Sequence, residues 1–398
     1  MSDKTETAPL SGLRIVDLSR VLAGPFCTAL LAEMGAEVIK IETPGRGDDA
    51  RQFLPFQGGE SGFFMLINKA KKSVTLDLKS PRGVKILHRL VEDADILVAN
   101  FRPGADARLG ADYETLKKIN PALVHASISG FGQEGPLSPR PAYDIVAQAM
   151  SGLMSITGEA DGPPTRVGES MGDLCAGLNA CWSILAAIRH RDRTGKGQHL
   201  DIAMTDSLIS MMVTPLSLQL FANAGPTRTG NRHPISTPFD SFPCRDGYVV
   251  IAVANDTLFA KLSTAMGHPE LLADSRFATD TARTENEPAL RVLVTAWTGE
   301  RTVDEAVQVL DEAGVPASPI LSVAEALASE HVVARGLVTT ANHPTAGEIP
   351  LVRQPVRFSQ WPQGPIAPPP TLGQHTDEVL GAFRDADEIA ALRRDGVI

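Results

Sequence analysis

Leu13-Arg-Ile-Val-Asp-Leu18, Ala23-Gly-Pro with its apolar continuation through Cys27 to Met34, and Glu37-Val-Ile-Lys-Ile-Glu42 are the stretch on which the fold turns. The first and last segments are short aliphatic runs that suit buried strands. The middle one carries apolar residues at helical spacing and stops at Gly35. Strand, helix, strand in so short a stretch is a βαβ unit, which dictates a parallel pair joined by a right-handed crossover.

The pattern continues outward. Ser73-Val-Thr-Leu-Asp-Leu78 alternates with period two, Ser80-Pro-Arg-Gly opens an amphipathic helix over Val84–Glu92, and Ala94–Asn100 is another strand. A helix near Tyr113–Ile119 precedes a strand at Leu123–Ser129. The alternation predicts an open α/β sheet whose ligand sits beyond the carboxyl ends of the strands, where Asn100 and Ser129 stand. Tyr143–Met154 and Leu174–His190 have helical spacing, and the second is too apolar for a surface helix. A strand at His199–Met204 and an apolar helix at Ser207–Phe221 follow.

Ala224–Pro238 reads as a linker, and the segments around Arg245-Asp-Gly as a hairpin. Helices then run to about Ala313, a strand to Leu321, and a proline-rich stretch (Pro355–Pro370) leads to a last helix at Asp377–Arg394. The predicted organisation is a large domain over 1–225, a smaller α+β domain over 226–330, and a linker with a C-terminal segment over 331–398.

The 37 basic residues are outnumbered by 47 acidic ones, which argues against a nucleic-acid partner but not against a local basic pocket. Cys27, Cys175, Cys181 and Cys244 form no CxxC pair, so neither a disulfide framework nor a zinc site is expected. The polar start, Met1 to Thr7, does not read as a secretory signal, and no uninterrupted apolar run is long enough to span a membrane. A cytoplasmic protein is expected. No HExxH, Walker loop or ligand cluster suggests a metal.

Four motifs invite chemistry. Gly130-Phe-Gly-Gln-Glu-Gly135 matches a dinucleotide fingerprint, but Pro136, Pro139 and Pro141 would break the helix such a site needs, so no nucleotide redox cofactor is expected. Gly168-Glu-Ser170-Met-Gly172 matches a nucleophile elbow, which would make Ser170 a hydrolase nucleophile, yet Pro163-Pro164 leaves little room for the preceding strand. Asp173 heads the Leu174–His190 helix. It reads equally as an N-cap or as an ionised nucleophile that Gly172 and Gly177 leave accessible to a large substrate. Lys69-Ala-Lys-Lys72 is by default a solvated run and otherwise a phosphate contact; Arg102 and Arg108 lie just past a strand end.

Together these residues resemble the class III CoA-transferases, the CaiB/BaiF family. The likeness is carried by Pro9-Leu-Ser-Gly-Leu-Arg-Ile-Val-Asp-Leu, Ala23-Gly-Pro, Leu31–Glu42, Asn68–Asp77 and Val98-Ala-Asn-Phe-Arg-Pro-Gly104. Gly130–Pro136, Ala142-Tyr-Asp-Ile145, Met171-Gly-Asp-Leu174 and Arg193-Thr-Gly-Lys-Gly-Gln198 extend it over essentially the whole chain.

The resemblance implies a Rossmann-like parallel sheet built from both chain ends, with 331–398 returning to the large CoA-binding domain, and an interlocked homodimer. It implies an acyl-CoA thioester and a small carboxylic acid as substrates, with Asp173 as the nucleophile that passes through mixed anhydrides and an aspartyl-CoA thioester. Val21, Asn100, Phe101, Ala105 and Arg108 match positions that line the CoA nucleotide, with Arg51 and the run ending at Lys72 as further phosphate candidates. Tyr143 and Asp144 fall near the reacting groups. Family racemases use a His-Asp pair there; a phenol is a poor neutral-pH base for an α-proton, which favours transferase over 2-methylacyl-CoA racemase. Leu22 and Asn231-Arg-His-Pro depart from the formyl-CoA transferases and argue against oxalate. Arg232 and His233 resemble residues of members that take short dicarboxylates, often with succinyl-CoA as donor.

Overall fold

The computed structural model describes residues 8–398; Met1–Thr7, in which no secretory signal was expected, lie outside the described residues. The chain divides into two compact units. The first comprises the chain up to Leu153, Val167–Thr214 and His331–Ile398; the second comprises Met154–Arg166 and Pro215–Glu330.

The first unit is built on six strands: β1 (Arg14–Asp17), β2 (Glu37–Glu42), β3 (Lys72–Thr75), β4 (Ile96–Ala99), β5 (Val124–Ser129) and β6 (Gln198–Ala203). They lie in the order β3-β2-β1-β4-β5-β6 and every pairing is parallel. The order reverses direction between β1 and β4, so a ligand crevice belongs beyond the carboxyl ends of that pair.

Alternation along the strands divides the core. Ile15, Val38, Ile96, Val98 and Val124 face one layer with Cys27 and Leu31 of α1 (Ala23–Glu33). Val16, Ile39, Val74 and Leu97 face the other, with Leu87, Leu392 and Val397. The C-terminal segment therefore packs on the same sheet as the N-terminal one. The backbone N–H of Asp77, just past β3, donates to the Val397 carbonyl (2.8 Å).

Two helices carry the site: α2 (Asp144–Met150) and α3 (Met171–Thr194). By length and apolarity α3 could cross a bilayer, but in this fold it is a core helix packed on α1, β5 and β6. It ends where Gly195 takes φ +70°, a conformation that favours glycine, with Arg191 and Arg193 in its last turn.

Several expectations need correcting. The Ser207–Phe221 helix is broken at Met212 into Met204–Met211 and Val213–Phe221. The last helix is two, Thr376–Leu380 and Ala386–Arg394. A hairpin at Val338–His343 and Gly347–Val352 was not expected at all. Its Pro350 and its polar alternation hid the strand signal.

The second unit holds a three-stranded antiparallel sheet of β7 (Phe239–Pro243), β8 (Tyr248–Ala252) and β9 (Ala317–Pro319), in the order β9-β8-β7. Phe242, Val249, Ile251, Phe259, Leu290 and Leu310 fill its core.

Candidate active site

The loop after β1 is held by buried charge. Lys40 and Asp48, both fully buried, form an ion pair of 2.8 Å. Lys40 also donates to the Ser19 carbonyl (2.8 Å), and the Asp48 carboxylate accepts the N–H of Val21 (3.1 Å). Asn100, one residue past β4, closes the loop from the other side: its Oδ1 accepts the Arg20 N–H (2.8 Å) and its Nδ2 donates to the Arg20 carbonyl (2.7 Å). These bonds hold Val21 at φ +68°, an outlying conformation for a β-branched residue.

Beyond the β1 and β4 ends lies a cavity of about 390 Å³. Val21, Asn100, Phe101, Ala105 and Arg108 line it, as do Tyr143 and Asp173. Arg20, Arg102 and Arg140 add guanidinium groups, and Gly130 of the glycine-rich loop adds backbone. Arg20 lies 3.5 Å from Asp49; Arg102, Arg108 and Arg140 have no carboxylate partner among the described residues. Sequence reading named neither Arg20 nor Arg140. The signal for Arg20 was its place one residue before Val21 at a strand end; nothing in the sequence singled out Arg140.

Asp173 is the third residue of α3, not its N-cap; Ser170 is the N-cap. The backbone N–H of Ala23, at the head of α1, reaches its carboxylate. Two helix N-termini thus face the carboxyl group, which favours its anion. Burial outweighs them. Together with the Asp144 and Glu169 carboxylates, burial raises the pKa of Asp173 from 3.8 to about 7. Burial and the two carboxylates thus oppose the anion that the helix heads favour.

The glycines beside Asp173 serve packing rather than substrate access. A Cβ on Gly177 would lie 2.7 Å from the Ala23 carbonyl oxygen, and one on Gly172 would lie 3.0 Å from Asp144 Oδ1. Gly177→Ala must push the head of α1 away and take the Ala23 N–H off Asp173. The expected loss is about 1–3 kcal/mol of stability, read by urea unfolding, with roughly tenfold or more lost in kcat/KM.

Other expected site residues lie elsewhere. Arg51 is buried in a two-bond pair with Glu42 (2.7 Å each) and stacks on the Phe64 ring. Lys72 pairs with Glu37 and Glu378 (2.8 Å each). Lys69 pairs with Glu33 (2.7 Å) and Lys71 with Asp17 (3.1 Å). Lys69 and Lys71 are buried and Lys72 is partly exposed, and each ammonium of the run already meets a carboxylate within the first unit. Asp144 is buried behind Tyr143, and both its oxygens are engaged. Arg232 and His233 belong to the second unit, where the His233 ring packs on Phe239 at 5.0 Å.

The decoy motifs resolve in the same terms. No helix opens on Gly130–Gly135. Ser170 follows an irregular stretch with no strand before it, and its N–H donates to the Glu169 carboxylate (2.5 Å). Among the described residues no group of three His, Cys, Asp or Glu is gathered to hold a metal ion.

Comparison with known proteins gives one answer. The chain is 40% identical over 400 residues to mouse succinyl-CoA:glutarate CoA-transferase, covering 100% of this chain and 92% of that one. It is 43% identical over 354 residues to acetyl-CoA:oxalate CoA-transferase of Acetobacter aceti, covering 89% and 90%. A crystal structure of a CAIB/BAIF family protein from Brucella suis superposes with a TM-score of 0.84 at 38% identity, covering 95% of this chain and 100% of that one. The profile of CoA-transferase family III matches residues 10–376, so the chain belongs to that family and is a CoA-transferase.

Proposed function

We propose that the enzyme moves CoA from an acyl-CoA, succinyl-CoA first, to a short dicarboxylic acid, with Asp173 as nucleophile. The carrying observation is that Asp173, set between two helix heads, shares one cavity with Arg102, Arg108 and Arg140, whose charges have no carboxylate partner among the described residues. Guanidinium groups suit the phosphates of CoA and the carboxylates of an acid. The two relatives named above act on glutarate and oxalate, which supports a dicarboxylate acceptor. Leu22 and Asn231-Arg-His-Pro favour a longer dicarboxylate than oxalate, on the resemblance alone.

In this reading an Asp173 oxygen bonds to the thioester carbonyl carbon. The C–S bond breaks and CoA thiolate leaves with the electron pair. The thiolate then attacks the Asp173 carbonyl carbon of the mixed anhydride, expelling the donor's carboxylate and leaving an aspartyl-CoA thioester. The acceptor carboxylate attacks that thioester, and the freed thiolate takes the acyl group from the second anhydride. Each step exchanges one activated acyl bond for another, so no net proton moves. Anhydrides hydrolyse, so water must be kept from the cavity, a task that suits the loop at Gly130.

Val21, Asn100, Phe101, Ala105 and Arg108 are the proposed CoA contacts and Tyr143 a substrate contact; Arg232 and His233 are assigned to the acceptor on the resemblance alone. We assign the working state to a homodimer. Leu220 and Phe221, 70% and 90% exposed, support that assignment.

The test is an exchange assay read by mass spectrometry, with succinyl-CoA or acetyl-CoA and a pool of mono- and dicarboxylic acids. A new acyl-CoA made by wild type and not by Asp173→Ala is the expected result. No new CoA ester, with deuterium uptake at the α-carbon of a branched acyl-CoA, would replace the reading with a racemase.

A further inference from the structure

Behind Asp173 lies a hydrogen-bond chain whose polarity is fixed at both ends. Gln148 is fully buried. Its Oε1 accepts the N–H of Val167 (2.9 Å), which can only donate. Its Nε2 donates to the carbonyl of Glu169 (3.1 Å), which can only accept. The amide therefore cannot flip. The same Nε2 donates to Asp144 Oδ2 (2.7 Å), so that oxygen must accept. Asp144 Oδ1 accepts the N–H of Gly172 (2.6 Å). Both carboxylate oxygens of Asp144 are thus acceptors, each with a donor already in place.

We propose that Gln148 is a positioning residue that fixes the Asp144 carboxylate against the head of α3, and that Asp144 acts there as a like charge toward Asp173, not as a substrate ligand. This rests on Asp173 being the nucleophile. Asp144 is bonded to Gly172, the residue that precedes Asp173 in the chain. A carboxylate facing a like charge is more basic and more nucleophilic, and its neutral anhydride or thioester escapes the repulsion. Asp144 thereby favours acylation of Asp173 over return to the free carboxylate. The lock also ties Val167 and Glu169 to α2, which sets the loop that delivers Asp173. Glu169 adds a second like charge to Asp173. Across the cavity Asp173 faces Arg20, Arg102, Arg108, Arg140, Asp49 and Tyr143, and none of these is altered in the test.

The test is the pH dependence of kcat/KM in wild type, Asp144→Asn, Gln148→Met and the exchange Asp144→Asn with Gln148→Glu. Wild type should lose activity on the acid side of about 7. Asp144→Asn should move that limb down by about one unit or more. Gln148→Met removes the locking donor, leaves Asp144 held by the Gly172 N–H alone and free to turn away from α3, and should move the limb the same way by less. In Asp144→Asn the new amide faces the Gln148 amide, donor against donor, and stability should fall. The double exchange gives the amide at position 144 an acceptor again and, with the new carboxyl at position 148 protonated toward the Glu169 carbonyl, should recover part of that stability while the limb stays low. A purely structural role predicts that limb and stability recover together, and that result would overturn the proposal. So would an unmoved limb in both single variants.

A readout independent of turnover is the melting-temperature difference made by adding Asp173→Asn to each background between pH 4 and 8. It reports the ionisation of Asp173 even in an inactive variant. Should Asp173→Ala still transfer CoA, the nucleophile assignment itself fails. An inactive Asp173→Ala with an unmoved limb sinks only the role given to Asp144 and Gln148.

Discussion

Asp173→Asn is expected to abolish CoA transfer and at the same time to raise the melting temperature. Loss of the nucleophile removes the covalent route, and a fall of at least about 10³-fold in kcat is expected. The stability gain follows from linkage. The folded-state pKa of Asp173 is raised from 3.8 to about 7, chiefly by burial and then by Asp144 and Glu169. Between those values the folded state binds the proton that the unfolded state releases, so stability declines as pH rises through the window. Above about 7 the full cost is present, of order 2–4 kcal/mol. Asparagine is neutral throughout and avoids it. The melting curves of wild type and variant should coincide near pH 4, separate up to pH 7, and stay a few degrees apart at pH 8. Equal melting temperatures at pH 8 would show that Asp173 carries no strain in the free enzyme.

Much of the scaffold was legible in the sequence because its central strands are short aliphatic runs buried on both faces. Leu13–Glu42 reads as strand, helix, strand from side-chain pattern alone, and the structure has it so. Asp173 was singled out from its setting, but the charges that oppose its anion were not legible. The helix head that favours its anion is local and visible in the sequence; Asp144, which opposes the anion, comes from another helix 29 positions earlier. Charge in tertiary contact is invisible to a linear reading. The role of Gln148 was hidden for the same reason: its partners Val167 and Glu169 are remote in sequence. Basic runs failed most clearly. Lys69–Lys72 looked solvated because lysine usually is. Each of its lysines instead meets a carboxylate supplied by Asp17, Glu33 or Glu37, from α1 or from β1 and β2 at the centre of the sheet.

Asp17→Ala tests that buried charge directly and is expected to be the most destabilising single change in the first unit. Asp17 is fully buried at the end of β1. Its carboxylate accepts from the Ser19 N–H (2.9 Å), the Ser19 and Thr28 hydroxyls and Lys71 Nζ (3.1 Å). Burial alone would raise its pKa; Lys71, Lys40 and the two hydroxyls more than reverse that and hold it at about 2. That stability is present above pH 3.8 and is lost as pH falls toward 2. Removing Asp17 leaves the Lys71 ammonium buried with only neutral acceptors, the Pro25 carbonyl and Asn68 Oδ1 (2.9 Å each). An uncompensated buried charge costs about 3–5 kcal/mol.

Lys71 can relieve that cost by losing its proton. Burial already lowers its pKa from 10.5 to about 8, with Lys40 opposing the charge and Asp17 supporting it. A lowered lysine pKa means that the unfolded state binds the extra proton, so stability rises with pH across the window. Without Asp17 the window widens downward, so the deficit of Asp17→Ala should shrink as pH rises to about 8 and stay constant above it. Replacing both partners, Asp17→Ala with Lys71→Met, should recover most of the loss at pH 7, since neither charge is then stranded. Donor binding should recover less: Ser19 loses its carboxylate acceptor in both variants, and the loop that it begins carries Val21 into the cavity. A raised KM for acyl-CoA that persists in the stable double variant would separate the placing of that loop from the stability of the sheet beneath it.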